Sequence, residues 1–146
     1  MKEYIKWIIG IIVLFWVFKS CVNGGGNNGK IDLTKTNTFV LQPYDGCSYQ
    51  SMTVTLYGDG TDHVEGIYLN GESFKDNGRW ELITGSYHDQ EQKAITFEIN
   101  YRYSNGGSRE TGTIMPNFDF YEGPALNAAD IALKKEMAAK GKMTIK

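Results

Sequence analysis

The sequence predicts a mainly β fold: a small antiparallel meander β-barrel with one C-terminal α-helix, preceded by an N-terminal apolar signal or anchor helix. Four observations predict it. Apolar and polar residues alternate along several segments of strand length, and Asn-Gly or Asp-Gly pairs separate many of these segments. Apolar residues at helical spacing occur near the C-terminus, and an unbroken apolar run stands at the N-terminus.

The N-terminal apolar run covers residues 7–18 and follows a mildly basic start. A helix of this length covers roughly 18 Å, which is shorter than a hydrocarbon core of ~30 Å. A basic start followed by a short apolar core is typical of a secretory signal peptide. An uncleaved anchor over residues 4–22, with Lys6 and Lys19 reaching the headgroups, is the alternative. Residues 1–20 are therefore predicted to be a signal peptide or a membrane anchor, with the folded body exported.

Cys21 helps to distinguish a cleaved signal peptide from an uncleaved anchor. The residues Phe18-Lys19-Ser20-Cys21 resemble a bacterial lipobox, in which the signal peptide is cut immediately before a cysteine that carries lipid. The resemblance implies lipidation at Cys21, and the alternative is a chance cysteine after a single-pass anchor. Either one places the protein in the cell envelope, attached to a membrane by lipid at Cys21 or by the N-terminal helix.

A tether is predicted at residues 21–37, because residues 23–29 consist only of glycine and asparagine and cannot bury apolar surface. The folded domain is then residues 38–146. Removing residues 1–20 takes three of the 15 basic and one of the 17 acidic residues, which leaves 12 against 16. This balance argues against nucleic acid as a partner. The glycines of the tether follow no strand and precede no helix, so no phosphate-binding loop and no cofactor are predicted.

Strands are predicted from strict alternation and from β-branched and aromatic content. The clearest one is AITFEINYRY at residues 94–103. In chain order the strands are expected at residues 38–42, 51–56, 63–69, 79–84, 94–103, 109–115 and 118–121. Turns are expected at Asp59-Gly60, Asn70-Gly71, Asn77-Gly78 and Asn105-Gly106, where residues that tolerate positive φ occur.

A helix is predicted at residues 127–140, with Asn127 as its N-cap and Gly141 as its stop. Leu126 and Ile131 stand at the spacing of a hydrophobic staple. We expect the helix to pack across the barrel through an apolar stripe, Ala129, Leu133 and Met137. Residues 142–146 are predicted to return as a short closing strand.

Two stretches, LYGDGTDHVEG and GIYLNGESFKDNGRWELITG, resemble the small lipocalin-like β-barrels that are often found on bacterial lipoproteins. Gly78-Arg79-Trp80 matches the G-x-W element of those proteins. In classical lipocalins that element opens the first strand, whereas here it lies mid-chain. The resemblance implies a binding function on a tethered barrel.

The aromatic residues are the candidate ligand-binding set. A barrel of about eight strands can enclose a small apolar ligand, and ordinary core packing is the alternative role for the same side chains. The set comprises Tyr68, Trp80, Phe97, Tyr101, Tyr103 and Phe118. The predicted function is therefore a non-enzymatic binding module for a small hydrophobic ligand or an envelope protein.

Two other classes compete with this prediction. An inhibitor or immunity-type protein would block a target enzyme through a surface loop such as residues 44–49. A hydrolase would need Cys47 to be activated by a histidine, and no local motif supports that. The acidic turn with Asp59 and Asp62 lacks the spacing of a calcium loop, so no metal is predicted.

Overall fold

Eight strands and one helix form the domain. The computed structural model describes residues 31–103 and 106–146, and it describes residues 100–103 and 106–108 by their backbone alone. The strands are β1 (Asn37–Pro43), β2 (Tyr49–Leu56), β3 (Thr61–Tyr68), β4 (Ser73–Tyr87), β5 (Gln90–Tyr103), β6 (Gly106–Ile114), β7 (Asp119–Glu122) and β8 (Gly141–Ile145), and the helix is α1 (Ala128–Glu136).

The strands close into an antiparallel barrel in which each strand pairs with its neighbour in the sequence. The last strand completes it, since β8 pairs with β7 through Asp119 and Lys142 and with β1 through Phe39 and Ile145. The predicted meander barrel and its closing C-terminal strand are therefore confirmed. Closure leaves no free sheet edge at β1 or β8 that could pair with another chain.

The barrel interior is filled by apolar side chains. They come from the alternate positions of the strands, as the period of two requires. The side chains that are less than 2 % exposed inside the barrel are Phe39, Met52, Val54, Leu56, Val64, Phe97, Ile99, Ile114, Phe120 and Met143. Phe97 and Phe120 stack with their ring centroids 6.3 Å apart, and Phe39 packs on Phe118 at 6.2 Å.

The predicted turn at Asn77-Gly78 is wrong, because both residues lie inside β4. The first half of this long strand pairs with β3, from Ser73 to Arg79, and the second half pairs with β5, from Trp80 to Tyr87. Gly78 is paired with Asp62 of β3, and the strand changes partner two residues later, between Arg79 and Trp80. The neighbouring β4–β5 turn uses His88 and Asp89 at φ 48° and 60°, which no glycine signals in the sequence.

Asp62 lies on β3, next to the part of β4 that does not pair with β5. Its carboxylate Oδ2 accepts a hydrogen bond from the backbone N–H of Glu98, 3.1 Å away, just beyond the last paired residue of β5. Within the described part of the chain, the other oxygen, Oδ1, has no hydrogen-bond partner. Burial raises the pKa of Asp62 to about 7, and the N–H groups of Glu98 and Gly78 oppose this rise only in part.

Helix α1 begins as predicted, but it faces the barrel differently. The Asn127 side chain accepts hydrogen bonds from the N–H groups of Ala129 and Asp130, which confirms the N-cap. The helix ends at Glu136, and Gly141 opens β8 instead of stopping the helix. Ile131 is buried against the outside of the barrel, whereas the predicted stripe points away from it.

Contact between helix and barrel is made by a second, smaller core outside the barrel. The helix contributes Ile131 to this core, and Lys134 of the helix is buried as well. The buried members are Ala94, Met115, Tyr121, Ala125 and Ile131, with Ile83 and Ala139 beside them. The predicted staple between Leu126 and Ile131 is wrong, because Leu126 is 71 % exposed whereas Ile131 is buried.

Candidate functional site

The described members of the predicted ligand-binding aromatic set are packed against other rings or hydrogen-bonded to the backbone. Phe97 and Phe118 belong to the filled interior, and Tyr68 packs on the Phe74 ring at 4.6 Å between centroids. Trp80 is half-buried, and its Nε1–H donates to the backbone oxygen of Tyr57 at 2.8 Å. These contacts favour the core-packing alternative for this set. The side chains of Tyr101 and Tyr103 lie outside the described residues.

Tyr49, which the sequence analysis did not single out, links the ring cluster to a carboxylate. Its ring lies 5.4 Å from Tyr68 and 5.6 Å from Phe74, and its hydroxyl donates to Glu110. Burial and the bond to Glu110 both raise the pKa of Tyr49, so the phenol stays protonated. The Tyr49 hydroxyl, one of the two phenol groups in this cluster, is therefore hydrogen-bonded within the barrel.

The loop at residues 44–48 is held against β7. Glu122 accepts hydrogen bonds from the Ser48 N–H at 2.6 Å and from the Ser48 hydroxyl at 2.9 Å. Cys47 is 3 % exposed, and burial raises the pKa of its thiol while Glu122 raises it further. A thiolate is the reactive form of cysteine, so this environment disfavours a nucleophile at Cys47. Tyr44 of this loop has half of its surface exposed.

A groove lies on the outer face of β2, β3 and β4, and we call it the outer groove. It has a volume of about 410 Å³. Most of its side chains alternate with the buried residues of the same strands, so they face away from the barrel interior. The exception is Phe74, which is buried and packs on Tyr49 and Tyr68. The lining residues are Ser51, Thr53, Glu65, Gly66, Ile67, Ser73, Phe74 and Lys75.

The groove follows from a close approach of β3 to β2. A Cβ placed on Gly66 would lie 2.2 Å from the backbone oxygen of Ser51 and 2.9 Å from the Phe74 ring, so only glycine fits there. The pairing register of β2 also shifts between Tyr49 and Ser51, which bends that strand. Together the glycine and the bulge make a concave surface on a barrel wall that would otherwise be convex.

The chemistry of the outer groove is mixed. Cross-strand pairing sets Thr53, Glu65 and Lys75 in one row and Ser51, Ile67 and Ser73 in the next. Glu65 lies 3.6 Å from the His63 ring nitrogen Nε2. In residues 31–103 and 106–146, Lys75 has no ion pair and no side-chain hydrogen bond, so its ammonium group can meet a ligand. The groove thus offers hydroxyl groups, one cation and one partly exposed aliphatic side chain.

Several predictions concern residues that the structure does not describe. The signal or anchor segment, Cys21 and the glycine-rich part of the tether all precede residue 31. Within the described ranges, no helix has the length and apolar content that crossing a membrane requires. The same ranges contain no group of three or more histidine, cysteine or acidic side chains placed to hold a metal ion. The acidic turn instead uses Asp59 locally, as the acceptor of the Thr61 N–H and hydroxyl.

Comparison of the chain with protein-family models, with curated proteins and with solved structures finds no match.

Proposed function

We propose that this chain is a membrane-tethered, exported, non-enzymatic binding protein that holds a small amphipathic ligand in the outer groove. One contrast carries the proposal. The described rings of the interior pack on one another, whereas the outer face holds a groove of about 410 Å³ with polar groups that converge on it. Concave sites with a few placed polar groups are the usual form of small-molecule sites.

The groove favours a ligand with an apolar part and an acidic group. Ile67 is 38 % exposed and gives the apolar contact. The Lys75 ammonium group gives the attraction for a carboxylate, and Ser51, Thr53 and Ser73 give hydrogen bonds. Glu65, which is paired with Lys75 on the neighbouring strand, repels a second negative charge, which limits the ligand to one acidic end.

Membrane attachment is proposed from the N-terminal sequence. Lipid on Cys21 is the attachment we propose, and an uncleaved helix over residues 4–22 is the alternative. The folded body would then work in the cell envelope, on the periplasmic or extracellular side of the membrane.

An inhibitor that uses the loop at residues 44–49 is the second candidate. Its support is Tyr44, an exposed aromatic side chain on a loop that two hydrogen bonds to Glu122 hold in place. Rigid aromatic anchors are common at protein interfaces. The outer groove has more converging groups than this one side chain, so we favour ligand binding.

Hexanoate and its uncharged analogue hexanamide test the groove by NMR titration. We expect hexanoate to shift the backbone amide signals of Ser51–Thr53, Glu65–Ile67 and Ser73–Lys75, and hexanamide to bind about two- to fivefold more weakly, as an exposed ion pair would give. Lys75→Met should remove this difference, and Ile67→Ser should weaken both ligands. Leu69→Ser, at an exposed leucine outside the groove, is the control. Shifts at Phe97 and Phe120 instead would place the ligand in the interior and contradict the proposal.

A further inference from the structure

His63 lies beside the outer groove, next to the acidic residue of that groove. Strand pairing sets His63 opposite Asn77 and Glu65 opposite Lys75, in neighbouring rows. His63 and Glu65 are two residues apart on β3, so their side chains lie on the same face of the sheet. The lining of the groove includes Glu65 but not His63, so an effect of His63 on a ligand must pass through Glu65.

A hydrogen bond to Asn77 decides which nitrogen of the His63 ring takes up a proton. The ring nitrogen Nδ1 is 2.8 Å from the side-chain oxygen Oδ1 of Asn77. An amide oxygen only accepts, so Nδ1 carries the hydrogen of the neutral ring and donates it. The lone pair of the neutral ring is then on Nε2, which lies 3.6 Å from Oε2 of Glu65. A proton on Nε2 turns this unfavourable contact into an ion pair.

We propose that His63 strengthens the binding of acidic ligands to the outer groove at acid pH, by taking up a proton on Nε2 and pairing with Glu65. The inference rests on the proposed function, because it describes the regulation of the same groove. With His63 neutral, the Glu65 charge repels the acidic group of a ligand that lies against Lys75. Histidine side chains gain their charge as the pH falls from 8 to 5. Protonated His63 offsets the Glu65 charge, so the attraction of Lys75 for the ligand is stronger.

The other groups that face His63 come from three strands. On β2, the residue opposite it is Thr55, which carries no charge. On β4, Lys75 and Arg79 share its face of the sheet, and lysine and arginine do not ordinarily titrate between pH 5 and 8. On β3, Asp62 points into the barrel, and its pKa of about 7 means that it also loses charge as the pH falls. The experiment therefore has to separate His63 from Asp62.

NMR titrations with hexanoate and hexanamide at pH 8 and pH 5.5 test the inference, since hexanoate is mainly ionised at both values. We expect hexanoate to bind the groove about two- to fivefold more tightly at pH 5.5, and hexanamide to bind equally at both, because Glu65 repels only the charged ligand. His63→Gln cannot take up a proton and should keep hexanoate at its pH 8 affinity. Two controls should retain the pH effect: His88→Gln, at an exposed histidine in the β4–β5 turn, and Asp62→Asn.

The tautomer of the neutral ring is a second readout, which needs no ligand. Long-range proton–nitrogen spectra at pH 8 should place the hydrogen of His63 on Nδ1, and a hydrogen on Nε2 would overturn the inference. Hexanoate that binds the groove equally at both pH values, or a pH effect that survives His63→Gln, would also overturn it and leave the proposed function intact. Hexanoate that shifts no groove signals at either pH would overturn the proposed function, and the role of His63 with it.

Discussion

Replacing Asp62 with asparagine is expected to stabilise the barrel at pH 8 and to change its stability little at pH 4. Burial raises the pKa of Asp62 in the folded state to about 7 from an ordinary value of 3.8. The stabilisation that protonated Asp62 provides is therefore complete below pH 3.8 and is lost as the pH rises to about 7. At about 1.4 kcal/mol per pKa unit, this loss approaches ~4 kcal/mol.

The asparagine variant keeps the oxygen that accepts the Glu98 N–H and removes the buried charge. Its amide nitrogen takes the position of Oδ1, and an unpaired amide there costs roughly 1–3 kcal/mol of stability. Protonated Asp62 carries a similar cost, because its hydroxyl group occupies the same position. We expect a gain of about 2–4 kcal/mol in the free energy of unfolding at pH 8, and a difference within ~1 kcal/mol at pH 4. Urea unfolding at both pH values measures this.

Asp59→Asn is the matched control for Asp62→Asn. Asp59 is exposed, and hydrogen bonds from the Thr61 hydroxyl and N–H lower its pKa instead of raising it. Its substitution should therefore slightly weaken the barrel at pH 8, opposite in sign to Asp62→Asn. If the free energy of unfolding varies with pH in parallel for wild type and Asp62→Asn, the pKa of Asp62 is the same in the folded and unfolded states, contrary to the expected rise.

Gly66→Ala is expected to destabilise the barrel by about 3 kcal/mol or more, because its methyl group meets the Ser51 carbonyl at a distance that no Cβ atom tolerates. The strands must separate at the centre of the outer groove, so hexanoate binding should be lost as well. Chemical unfolding and the NMR titration measure the two effects.

Gly71→Ala separates steric conflict from backbone strain. Gly71 has φ +89° but open space around its Cβ position, so alanine there should cost only about 1–2 kcal/mol and should leave hexanoate binding intact. If Gly66→Ala costs no more than Gly71→Ala, the close approach of β2 and β3 does not shape the groove as described.

The sequence predicts the strands well where one periodic signal acts alone. The alternation from Ile95 to Tyr103 marks β5, and the short segment after Gly141 returns as β8. The same alternation could have found Asp62, since it shares its phase in β3 with Val64 and Tyr68, both of which are buried. In the sequence analysis Asp59 and Asp62 form one acidic turn, whereas in the structure Asp59 is exposed and Asp62 is buried.

Other features depend on tertiary contacts that local patterns do not contain. Asn77-Gly78 has the composition of a turn, but both residues pair with β3, and this pairing keeps the chain extended until β4 pairs with β5 from Trp80 onward. The predicted apolar stripe is present in the sequence, yet the helix buries Ile131 against the barrel and leaves Leu133 exposed. The outer groove arises from Gly66 and a bulge in β2, and neither is visible as a binding motif.

Whether Cys21 holds the barrel at a membrane is tested most directly by the intact mass of the protein recovered from membranes. We expect the mass of residues 21–146 plus acyl groups, with fragmentation placing the lipid on Cys21. A membrane-bound chain that begins with an unmodified Met1 would contradict lipidation and support the anchor over residues 4–22. A soluble chain that begins at or after Cys21 and carries no lipid would contradict membrane tethering altogether.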